Sequence, residues 1–70
     1  MPEVAWTRGV RATFAQPGQI IMERHKQADP RRVEEFHSGD HVIAVGLYTG
    51  RRTRIGWKTL FRYDCVQRQP

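Results

Sequence analysis

Three runs, Val33–His37, His41–Thr49 and Trp57–Val66, are rich in β-branched and aromatic residues and are separated by glycine-containing breaks. This pattern constrains the chain most, because it specifies a meander of three antiparallel strands. Ser38-Gly39 suits a two-residue hairpin turn, where glycine tolerates the positive φ. The register then pairs His37 with Asp40, Phe36 with His41, Glu35 with Val42 and Glu34 with Ile43. One face carries Phe36, His41, Ile43, Val45 and Leu47 and is the expected core. The other carries Val33, Glu35, His37, Asp40, Val42, Ala44 and Tyr48 and is mixed. A basic loop from Thr49-Gly50 to Gly56 leads into the third run, which sets Trp57, Thr59, Phe61 and Tyr63 on one face.

The first half supports two readings. Val10, Phe14 and Ile21 partly fill one helical face, but a helix from Thr7 to Lys26 must kink at Pro17-Gly18. Two shorter helices avoid that cost if Pro17 stands in the first turn of the second. The rival is a hairpin over residues 10–27, in which Val10, Ala12 and Phe14 alternate with Arg11 and Thr13 and Pro17-Gly18 forms a type II turn. Asp29-Pro30 ends whichever structure precedes it.

Seventy residues make a single small domain, 1–70, whose burial and ordering terms nearly cancel. Cys65 is the only cysteine, so no internal disulfide can add stability, and a homo-oligomer, a dimer or larger, is the expected remedy. Leu, Ile, Val and Phe total 15 of 70, near the disordered range, yet two Trp, two Tyr and three Phe argue for a folded chain. Met-Pro-Glu-Val lacks the basic and apolar regions of a signal peptide, and Val42–Tyr48 is too short to span a bilayer. With its lone thiol, the chain reads as cytoplasmic, with no membrane partner.

Twelve basic and seven acidic residues give a net charge of +5, concentrated in residues 36–70. Arg51, Arg52 and Arg54 form the densest cluster and can meet phosphates, though a solvated loop is the ordinary use of such charges.

Trp6-Thr7-Arg8-Gly9-Val10-Arg11-Ala12-Thr13-Phe14 resembles the helix opening of SnoaL-like polyketide cyclases and their ketosteroid-isomerase-related kin, the nuclear transport factor 2-like superfamily. Val33–Gly46, around Gly39-Asp40-His41-Val42, is similar to that family's first hairpin. Tyr48-Thr49-Gly50 with Ile55-Gly56-Trp57, and Phe61-Arg62-Tyr63-Asp64, resemble its later connections. The chain departs from the family in being shorter, in placing Cys65 at a turn glycine, and in setting Pro17-Gly18 inside the helix. The resemblance implies an α+β fold: a helical N-terminal segment packed on a curved antiparallel sheet of at least three strands, a truncated cone around an apolar pocket. A small all-β barrel of five strands is the alternative.

The chemistry is sparse. His37, Asp40 and His41 do not converge as three metal ligands, so no metal site and no cofactor are expected. His41, on the expected apolar face, is the candidate general base, although a satisfied rim histidine is the commoner case. Phe14, Phe36, His41, Ile43, Val45 and Trp57 are the candidate pocket for a small apolar ligand. Cys65 has no adjacent basic residue to activate it. The leading expectation is a self-associating, SnoaL-like ligand-binding domain. Behind it stands a basic β-barrel that binds nucleic acid through Arg51, Arg52, Arg54, Lys58 and Arg62; nucleic acid is not the expected partner, since the aromatics alternate onto the core face and leave only weak, salt-sensitive Arg contacts. An isomerase or cyclase using His41 is a third reading.

Overall fold

The computed structural model describes residues 6–25 and 29–68. They form six strands: β1 (Trp6–Arg11), β2 (Ile20–Glu23), β3 (Arg31–His37), β4 (His41–Gly46), β5 (Arg52–Gly56) and β6 (Tyr63–Arg68). A 3-10 turn, Ala12–Phe14, follows β1, and one short helix, α1 (Trp57–Leu60), joins β5 to β6. The sheet order is β1-β6-β2-β3-β4-β5, and every pairing is antiparallel. No helix among the described residues is long and apolar enough to cross a membrane.

The α+β cone is therefore not the fold of this chain, which is small and all-β. No N-terminal helix exists over the described part of Thr7–Lys26; Lys26 and the Met1–Val4 segment lie outside the described residues. Pro17-Gly18 makes a turn instead, with Gln19 N–H donating to Gln16 O at 3.0 Å and Gly18 at φ 94°. The two strands that flank this turn do not pair with each other as a hairpin. β6 inserts between them, so the N-terminal half closes on the C-terminal strand.

The β3–β4 register also differs from the simple hairpin. Asp40 N–H donates to His37 O at 3.0 Å with Gly39 at φ 78°, and the loop takes three residues, so His37 faces His41 and Phe36 faces Val42. A bulge at Glu34 then lets Val33 and Phe36, three apart, turn toward the same side, which strict alternation forbids. Val33, Val42 and Ala44 are buried, while His41, Ile43 and Val45 stand half-exposed on the outer face. The core thus lies on the face that alternation from a two-residue turn assigns to the mixed set.

Trp57–Val66 is not one strand. Gly56 lies in extended backbone at the start of α1, and Trp57 N–H donates to Asp40 O at 2.9 Å. The helical turn drives Leu60 fully inside, whereas a strand would set it opposite Trp57 and Phe61. β5 and β6 are four places apart in the sheet, about 19 Å if it were flat. Ile55 and Cys65 nevertheless share one core cluster with Ile21, Val33, Val42 and Leu60. The sheet curls around Leu60 as a partly closed barrel, with β1 and β5 as its edges.

Candidate functional site

Four aromatic side chains gather at one end of the barrel. Phe14 comes from the 3-10 turn, Phe36 from the end of β3, Trp57 from α1 and Phe61 from just beyond it. They line an open cleft of about 480 Å³ whose polar walls are Thr13, Gln16 and Ser38. Phe36 and Trp57 meet edge-to-face at 5.7 Å, and Trp57 and Phe61 at 6.5 Å. Phe14 is 67% exposed and Phe61 48% exposed. Phe36 and Trp57 are half-buried against the core, and the two exposed rings, Phe14 and Phe61, extend this apolar surface to solvent. The i, i+4 spacing of Trp57 and Phe61 puts them on one side of the helical turn. Lys58 and Arg62, next to them in the chain and both exposed, lie outside the cleft walls.

An arginine cluster adjoins this cleft. Asp64 on β6 is 7% exposed and accepts hydrogen bonds from Arg24 Nη2 at 2.9 Å and Nε at 3.2 Å, with Arg8 Nη1 3.5 Å away. The same Arg24 Nη2 donates to Phe61 O at 3.2 Å, tying the cluster to the aromatic end. Arg24 N–H also donates to Arg62 O at 2.8 Å, and Arg11 lies opposite Asp64 in the β1–β6 register. The guanidiniums of Arg24, Arg8 and Arg11 thus act on one carboxylate. The hydrogen bonds from Arg24 hold the Asp64 carboxyl below its usual range and raise Arg24 in turn.

The other residues named from sequence fall elsewhere. Arg51 is exposed in the β4–β5 loop, while Arg52 donates to Glu34 at 2.9 Å and to Glu35 at 3.4 Å. Arg54 lies 3.8 Å from Asp40. Two of the three clustered arginines are therefore already engaged with carboxylates. Of the apolar-pocket set, Phe14, Phe36 and Trp57 meet in the cleft, whereas His41, Ile43 and Val45 stand on the other face of β4. His41 Nδ1 contacts Asp40, and its ring stacks on His37 at 4.5 Å, with His37 Nε2 3.0 Å from Glu35. The hydrogen bonds from His37 and His41 lower the Glu35 and Asp40 carboxyls. This outer-face ladder gives His41 no apolar pocket in which to act as a base.

No three His, Cys, Asp or Glu side chains among the described residues are placed to hold a metal ion. Cys65 is buried, burial pushes its thiol up, and Sγ lies 3.8 Å from Arg11 O, the setting of an inert thiol. Arg8, Arg11 and Arg24 escape sequence reasoning because their grouping depends on β6 lying between β1 and β2, and Phe61 because α1 breaks the strand read over Trp57–Val66. The one local signal was the Trp57–Phe61 spacing with Leu60 between them, a helical pattern inside an apparently β-rich run. The chain matches no family model, and comparison with curated proteins and with solved structures finds none similar to it.

Proposed function

We propose that this protein binds single-stranded nucleic acid, with bases stacked in the cleft of Phe14, Phe36, Trp57 and Phe61. Lys58, Arg62 and Arg11 meet the phosphates, and Arg24 positions the Phe61 end of the cleft through its carbonyl. The observation that carries this reading is one cleft of four rings, with Phe14 and Phe61 exposed and Phe36 and Trp57 half-buried, tied to an arginine cluster on a chain of net charge +5. Stacking on such rings contributes about 1–3 kcal/mol per base, and phosphate neutralisation adds a salt-sensitive term. The cleft walls are neutral hydroxyls and an amide, which suit base edges better than phosphates. α1 has four residues and is too short to read a duplex groove. The reading places the protein in the reducing cytoplasm, where Cys65 stays a thiol.

Fluorescence anisotropy with labelled oligo(dT) and oligo(U) tests it. Binding should weaken steeply between about 50 and 200 mM salt. Phe61→Ala should lower affinity by about 1–3 kcal/mol. Lys58→Ala with Arg62→Ala should flatten the salt slope more than Arg52→Ala with Arg54→Ala. Absence of binding at low salt would refute the proposal.

A further inference from the structure

A second groove, of about 550 Å³, is lined by residues 7–10 of β1, 18–20 and 65–68. Its apolar walls include Val10, Ile20 and Val66, and its polar walls include Arg8, Gln67 and Arg68; none of its wall residues is acidic. At its far end the Arg68 guanidinium lies 5.5 Å from the centre of the Trp6 ring, a cation–π pair on the outermost rung of the β1–β6 ladder. Val10 is 59% exposed beside it, where the ladder bulges between Arg8 and Arg11. β1 provides a track of about 17 Å. Arg8 lines it, its guanidinium 3.5 Å from Asp64, and Arg11 and then Phe14 follow in the chain beyond the groove walls.

Resting on the single-strand reading, we propose that this groove is a second subsite for the same strand. The chain of nucleotides leaves the aromatic cleft over Phe14, follows Arg11 and Arg8, and ends against Trp6 and Arg68. Charge complementarity selects the occupant: Arg8, which also reaches Asp64, and Arg68 are the cations of its walls, and none of the wall residues is acidic. The arrangement alternates a ring, a run of cations and a cluster of rings, as sequence-tolerant single-strand grooves do. A strand that fills both subsites is longer than one that fills the cleft alone, so affinity depends on oligonucleotide length.

The experiment compares a trinucleotide with an octanucleotide, in deoxy and ribo forms, on the full chain at low salt. The octanucleotide should bind at least about tenfold more tightly, the gain expected from one further stacked base with added phosphate contacts. Arg68→Glu, at an exposed position, should remove most of that advantage, and Trp6→Ala should do the same. Circular dichroism checks that each variant stays folded, and Arg68→Glu keeps the question open to test should Trp6→Ala fail to fold. Equal affinity for the two lengths, or a length advantage that survives Arg68→Glu, would overturn the second subsite while leaving the cleft reading intact. Failure of both lengths to bind would overturn both.

Discussion

Asp64 sits buried between Arg8 and Arg24, with its carboxylate oxygens occupied by guanidinium donors. Because those donors favour its charged form, its folded pKa lies below the unfolded value of about 3.9. The stability this provides is complete above the unfolded pKa and is lost as pH falls through the lower, folded value. Acid unfolding below about pH 4 should therefore be steeper for the parent than for Asp64→Asn, as near- and far-UV circular dichroism would record. At neutral pH Asp64→Asn should cost about 1–3 kcal/mol, since the replacement amide is left facing two cations. Phe14 behaves in the opposite way. It is largely exposed, so Phe14→Ala should leave thermal stability within about 0.5 kcal/mol while weakening oligonucleotide binding. A large loss of stability in that variant would make Phe14 a packing residue and not part of a binding surface.

At the level of elements, the β3–β4 hairpin determines which side chains make the core. Its three-residue loop and the bulge at Glu34 together bury Val33, Val42 and Ala44 and leave Ile43 half-exposed. Ile43→Ala should then cost clearly less than Leu60→Ala, which empties a site with no exposure and should cost about 2–5 kcal/mol. Equal costs in urea unfolding would mean that the faces are wrongly assigned. β5 was hidden in an apparent basic loop and β1 and β2 in an apparent helical segment, with Pro17-Gly18 a type II turn only in the rival reading; the β3–β4 hairpin, marked by alternation and Gly39, was legible. Its register was not, because one extra loop residue inverts every face and the sequence carries no local sign of it. Phe14, Phe36 and Trp57, named from sequence as candidate pocket residues, meet in the aromatic cleft. Phe61 was hidden by reading Trp57–Val66 as a strand, although the buried Leu60 is what makes the helical turn favourable. The arginine cluster was invisible, since it joins residues from β1, β2 and β6 that only the sheet order brings together.

For the whole molecule, the core is thin: three of its members are Ala12, Ala15 and Ala44. Among the described residues the sheet ends in two edges, β1 and β5, that a second copy could meet, although Arg52 and Arg54 on β5 and the bulge in β1 discourage flat edge pairing. If the chain self-associates to supplement its core, its melting temperature should rise with protein concentration across the micromolar range; a constant value would indicate a stable monomer. The same small barrel divides its charges unevenly. Arg52 and Arg54 are engaged by carboxylates on one sheet face, while Lys58 and Arg62 are exposed next to Trp57 and Phe61 in the chain and Arg11 lies across from Asp64. Binding should therefore centre on the aromatic end and not on the densest run of arginines in the sequence. Amide and indole chemical-shift mapping on titration with a short oligo(U) tests this most directly. The account predicts that the largest shifts fall on Phe14, Phe36, Trp57 and Phe61, with Lys58 and Arg62 beside them. Shifts confined to Arg51, Arg52 and Arg54, or no shifts at low salt, would contradict it.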